Sequence, residues 1–88
     1  MLEEAKKILR LFTDVYDGEI TDLINACKVD LRLAGVINID EGDPLIKRAI
    51  LTYAKANFGF DDNSESFQRR YDALKLQLRE SGEYNKEV

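Results

Sequence analysis

Residues 17–35, DGEITDLINACKVDLRLAG, form the longest uninterrupted helical pattern in the chain and constrain the fold most. At ~100° per residue, Ile20, Leu23, Ile24, Cys27, Leu31 and Ala34 fall within one face about 100° wide, the width a core-facing helix uses. Ala26, Val29 and Leu33 fall roughly opposite, beside Asp22. A helix with two apolar faces is sandwiched, either between neighbours in its own domain or between subunits. Asp17 suits the N-cap, Glu19 the positive end of the helix dipole, and Gly35 a left-handed stop. The spacing therefore predicts a helix over 17–34, ~27 Å long at 1.5 Å per residue.

With 88 residues, one domain with one modest core is expected. The composition, 44% hydrophobic and 34% charged, is ordinary for a globular chain. A net charge of −4 argues against a protein that works by neutralising phosphates. No apolar run approaches the ~20 residues of a membrane span. The opening MLEEAKKILRLF is amphipathic with mixed charge, unlike a signal peptide or a basic membrane-surface helix. A single cysteine excludes an intrachain disulfide.

Leu2, Ala5, Ile8, Leu9 and Phe12 recur at helical spacing and predict a first helix over about 2–12. Val36, Ile37 and Ile39 suit a short extended segment lying on the helices, with no second strand signal nearby to make a sheet. Asp43-Pro44 is a strong helix start. The third helix covers about 44–57, with Ile46, Ala49, Ile50 and Tyr53 on its inner face and Gly59 as its stop. A fourth helix covers about 64–80, where Phe67, Tyr71, Leu74 and Leu78 form a stripe only about 60° wide. Residues 81–88 read as a mobile polar tail. The fold class is all-α: a small bundle of about four helices with a long central one. Tyr53, Phe58, Phe60, Phe67 and Tyr71 are expected to glue the third helix to the fourth as an aromatic cluster.

Chemistry is scarce. With no histidine and no Cys–His or Ser–His pair, the usual general acid–bases and activated nucleophiles are missing. Cys27 sits on the apolar face and reads as a small buried hydrophobe. Asp61-x-Asn63-x-Glu65 imitates the opening of a calcium loop, but Ser66 stands where that loop needs glycine and Asp72 where it needs glutamate. Helix capping is the better reading. Lys47-Arg48 and Arg69-Arg70 read as solvated basic pairs. No catalytic, cofactor-binding or metal site is assigned. A helix-turn-helix regulator is disfavoured because the connection over 34–44 is far longer than the 3–4-residue turn of that motif.

The run YDGEITDLINACKVDLRLAGV (16–36), then DPLIKRAILTYAKANFGFD (43–61), then SFQRRYDALKLQLRESGEY (66–84) resembles the small head–tail connector proteins of tailed phages and prophages, also called adaptor or DNA-packaging proteins. Its most specific pieces are the acidic-Pro helix start, the KANFG stop (55–59) and FQRRYDALK (67–75). The resemblance implies a helical subunit of a homo-oligomeric, dodecamer-like ring in the virion, assembled in the host cytoplasm. That ring would dock under the portal protein, extend the DNA channel after packaging and present a platform to stopper or tail-completion proteins. DNA would pass without sequence readout, and no cofactor, membrane or reaction is implied. The second apolar face of the long helix, Ala26, Val29 and Leu33, is then the expected subunit contact.

Overall fold

The computed structural model describes residues 1–59 and 63–86 and is all-helical over them. Five helices follow in order: α1 (Leu2–Ile8), α2 (Asp17–Leu33), α3 (Pro44–Asn57), α4 (Ser64–Glu80) and the single turn α5 (Gly82–Asn85). α3 packs on α4 along most of its length and also touches α2 and α1. The molecule measures 38 × 24 × 19 Å.

Local chemistry explains several helix ends. Asp43 caps α3, accepting hydrogen bonds from the backbone N–H of Leu45 at 2.9 Å and of Ile46 at 3.3 Å. Pro44 follows as the first helical residue, where its missing N–H costs nothing. α2 ends in a Schellman motif with Gly35 at φ 103°. There the Val36 N–H donates to the Leu31 carbonyl at 2.9 Å and the Gly35 N–H to that of Arg32 at 3.0 Å. The turn drops Val36 onto Leu31, and both side chains are fully buried. α3 stops at Gly59, with φ 71°. Asp17 is the first residue of α2 rather than its cap, a place Tyr16 takes. Its carboxylate lies 3.1 Å from the Lys6 ammonium instead, which also meets Asp14 at 2.6 Å.

Two expectations about the first helix and the tail also need correction. The first helix does not reach Phe12. It stops at Ile8 in a second Schellman motif, built on Arg10 at φ 57°, with the Leu11 N–H donating to the Lys6 carbonyl at 2.9 Å. Phe12 is left outside the helix and 99% exposed. The tail is not loose over its described part. After Ser81 the chain turns back through α5, and the Tyr84 carbonyl accepts from the N–H groups of Ile37 at 2.7 Å and Asn38 at 3.0 Å. The Asn38 side chain in turn donates to the carbonyls of Glu83 and Lys86.

The core lies among α1, α2, α3 and α4. Ile20, Ile24, Cys27, Leu31, Ile46, Ala49, Ile50, Tyr71 and Leu78 are buried there, joined by Ala5 and Val36. Leu23, Tyr53, Phe67 and Leu74, expected in the core, are only partly buried. The aromatic cluster is also split. Tyr53 and Tyr71 meet edge-on at 5.0 Å, but Phe58 packs edge-on against Tyr16 at 5.5 Å and Phe67 lies under two cations. Phe60 falls outside the described residues.

Candidate subunit-contact surface

The surface follows from how α2 is held. Its inner face carries Ile20, Ile24, Cys27 and Leu31, all buried. Its two edges are tied by polar contacts. On one edge Asp30 accepts a hydrogen bond from the Tyr71 hydroxyl at 2.6 Å and one from the Lys75 ammonium at 3.1 Å. On the other, Lys28 pairs with Glu41 at 2.6 Å. Between these edges the outward face has no cover. Val29 is 51% exposed and Leu33 82%, and Ala26 beside them is also exposed. The two neighbouring apolar segments, α1 and residues 36–39, both miss the stripe. α1 ends early at Ile8, and the Schellman turn sends Val36 over Leu31, on the other side of the helix from Leu33.

The tie on the Asp30 edge is a part-buried chain of polar groups. Cys27 Sγ lies 3.7 Å from the Tyr71 hydroxyl oxygen, which donates to Asp30. Burial pushes the Cys27 thiol up to about 12. Burial, then the hydrogen bond to Asp30, raises the Tyr71 phenol above its ordinary value. Burial also pulls the Asp30 carboxyl upward, but the Tyr71 hydroxyl and Lys75 outweigh it and hold the group below its usual range. Each group is thus kept in one ionisation state, Cys27 and Tyr71 neutral and Asp30 charged. A fixed, satisfied triad positions one helix on another. A nucleophile would instead need a thiol with a lowered pKa.

Of the basic pairs of the sequence, Lys47 and Arg48 stay together and Arg69 and Arg70 are split. Lys47 and Arg48 of α3 converge with Lys55 and with Arg70 of α4 on one groove, of about 760 Å³, whose wall includes Ile8 of α1. Arg69 does not line it. Lys55 Nζ stands 4.8 Å and Arg70 Cζ 5.5 Å from the Phe67 ring centre. The phase of Arg48, Leu51 and Lys55, opposite Ile46 and Ile50 on α3, is the sequence signal for this groove. Of the calcium-like run, Asp61 falls outside the described residues, and Asn63 stands at the α4 cap position. Among the described residues no group of three or more carboxylates or thiols could hold a metal, and no helix is long and apolar enough to cross a membrane.

A small helical subunit with a fixed polar tie and bare apolar surface has the features of an assembly part. The sequence profile of the phage connector proteins matches residues 1–85. The chain belongs to the phage connector protein family. No curated protein and no solved structure matches it. As a phage connector protein it is a structural component of the virion that assembles with other phage head and tail proteins. The α2 stripe is uncovered in this connector, and Phe12, Val15, Ile37 and Leu76 are further exposed apolar side chains.

Proposed function

We propose that this connector is one subunit of a homo-oligomeric ring, dodecamer-like, that forms in the host cytoplasm on newly filled heads. The ring docks beneath the portal protein, extends the DNA channel after packaging and presents its far side to a stopper or tail-completion protein. It carries no cofactor and catalyses no reaction. Ala26, Val29 and Leu33 lie at or beside the subunit–subunit contact.

The exposure of Leu33 and Val29, on a helix whose opposite face is buried, carries this reading. Isolated surface hydrophobes are ordinary, but three apolar positions in helical register make a contact face. Covering a Leu or Val side chain is worth roughly 1.5–3 kcal/mol, and a ring repeats the gain at every interface. The net charge of −4 suits a channel through which phosphates must slide.

Leu33→Glu tests it. The expected product is folded by circular dichroism, yet forms no rings and does not decorate portal-containing heads. Rings of normal size from this variant would sink the reading of the stripe. An unfolded product would place Leu33 in the core.

A further inference from the structure

A ring of identical subunits repeats a heterologous contact, in which two different patches meet. The α2 stripe supplies one patch. We propose that the other is the groove between α3 and α4, and that it receives the outer face of α2 from a second copy of this chain. The inference rests on the ring reading above.

The groove asks for a partner that is both acidic and apolar. Leu45, Leu51, Phe67 and Leu74 form its apolar wall, Lys47, Arg48, Lys55 and Arg70 supply its charge, and no carboxylate lines it. Lys55 and Arg70 flank the Phe67 ring, so charge and apolar surface are interleaved rather than segregated. Elsewhere Lys6, Lys28, Lys75 and Arg79 each have a carboxylate within 4 Å, while Lys7, Arg10, Arg32, Arg69 and Lys86 have none among the described residues. The four groove cations form no ion pair among the described residues. Duplex DNA would use the cations but leave the apolar wall unsatisfied.

The outer face of α2 has the matching chemistry. Glu19, Asp22, Ala26, Val29 and Leu33 fall within about 80° of one another around the helix axis, and all five are exposed. Two carboxylates lead, three apolar positions follow, and no cation interrupts them. Such complementarity fixes the register of a contact and rejects like-charged alternatives. At 1.5 Å per residue α2 is ~25 Å long and α3 ~21 Å, so one helix can lie along the groove of the other.

Placement makes the pairing head-to-tail. On α2, Val29 is opposite the buried Ile20 and Ile24. On α3, Arg48, Leu51 and Lys55 are opposite the buried Ile46 and Ile50. The two patches look away from each other with the shared core between them. A contact joining them propagates from subunit to subunit and cannot close as a two-fold dimer.

Two full-length variants test this, Leu33→Lys and the double variant Arg48→Glu/Arg70→Glu. All three positions are exposed, and circular dichroism checks that both variants fold. Sedimentation velocity is run on each alone, on a 1:1 mixture and on the wild type, up to the highest soluble concentration. The wild type is expected to self-associate and each variant to stay monomeric. The mixture is expected to form a dimer and nothing larger, because only one intact stripe–groove pairing exists in it. Wild-type assembly together with assembly of Arg48→Glu/Arg70→Glu would overturn the groove while leaving the ring standing. So would variants that are both monomeric and fail to pair when mixed. A wild type that stays monomeric throughout overturns the inference and leaves the ring reading to portal-dependent assembly. Salt-sensitive duplex DNA binding, lost in the double variant with self-association unchanged, would reassign the groove to phosphates.

Discussion

The Tyr84 hydroxyl reaches across 41 residues of sequence to both carboxylate oxygens of Asp43, at 3.0 and 2.9 Å. Asp43 is also the N-cap of α3, so one carboxylate joins the last helical turn to the start of the helix that touches α1, α2 and α4. The hydrogen bond from Tyr84 holds that carboxyl below its ordinary range against the upward pull of burial, with help from the capping N–H groups of Ile46 and Leu45.

Tyr84→Phe keeps the ring and removes the hydroxyl. The expected result is a fall in Tm of a few degrees, with the fold retained. Amide exchange should localise the change. The N–H groups of Ile37 and Asn38 both donate to the Tyr84 carbonyl, so they should exchange faster once α5 is held less firmly. Unchanged exchange at both amides would mean that α5 is fastened by the backbone alone.

The two Schellman motifs make opposite predictions. Gly35 stands at φ 103° and Arg10 at φ 57°, both in the region where a Cβ costs roughly 1–2 kcal/mol. A Cβ added at Gly35 would meet Arg79 Cγ at an ordinary 3.7 Å, so the cost of Gly35→Ala is backbone strain rather than a clash. Gly35→Ala should destabilise by about 1–2 kcal/mol. Arg10→Gly should stabilise, by about 0.5–1 kcal/mol after the greater freedom of glycine in the unfolded chain is subtracted. Urea titrations of both variants decide it. Stabilisation by Gly35→Ala, or destabilisation by Arg10→Gly, would contradict the geometry.

These features mark what the sequence could and could not disclose. Asp43-Pro44, Gly35 and Gly59 are residue-level signals, because their side chains, or the lack of one, decide the backbone themselves. The stop at Arg10 carries no such signal, since arginine is no more a left-handed residue than its neighbours. It overrode a clean apolar spacing that ran on to Phe12. The docking of Tyr84 on Asp43 is a long-range contact between a tail and a loop, and no local pattern announces it. The stripe of Ala26, Val29 and Leu33 was legible as a phase. Whether anything covers it depends on where α1 stops and which way the chain leaves Gly35. Likewise Lys47, Arg48, Lys55 and Arg70 become one groove only through the packing of α3 on α4.

Cys27 should be inert while the protein is folded. The sulfur is fully buried and its thiol is pushed up to about 12, so both access and thiolate content are lost. With a disulfide reagent at neutral pH, the native protein should react orders of magnitude more slowly than the protein in urea. The native rate should track global stability, since unfolding is the route that exposes the sulfur. Equal rates in both conditions would place Cys27 at the surface and undo the assigned helical phase of α2.

Stability against pH should show a plateau with two limbs, and the sign follows from each group. Asp14, Asp30 and Asp43 are held below their ordinary value of 3.8 in the folded chain. The cause at Asp14 is the Lys6 hydrogen bond, and at Asp43 the Tyr84 hydrogen bond. At Asp30, Tyr71 and Lys75 outweigh an upward pull from burial. A lowered folded pKa contributes stability above the unfolded value and loses it as pH falls through the folded one. The acid limb therefore begins below about 4. Cys27, Tyr71 and Lys6 are raised from ordinary values of 9.0, 10.0 and 10.5, the first two chiefly by burial and Lys6 by its hydrogen bond to Asp14 and its ion pair with Asp17. A raised folded pKa contributes fully below the unfolded value and is lost as pH rises through the folded one. The alkaline limb therefore begins near pH 9, where an unfolded Cys27 would release its proton and the folded one cannot. Tyr71→Phe discriminates, because Tyr71 belongs to both limbs. It removes a raised phenol, and it takes from Asp30 one of the two partners that hold that carboxyl low. Urea midpoints measured from pH 3 to 11 should show the variant less stable at neutral pH, with a shallower decline at both ends. A curve parallel to that of the wild type would show that Tyr71 contributes packing alone and that the tie to Asp30 carries no linkage.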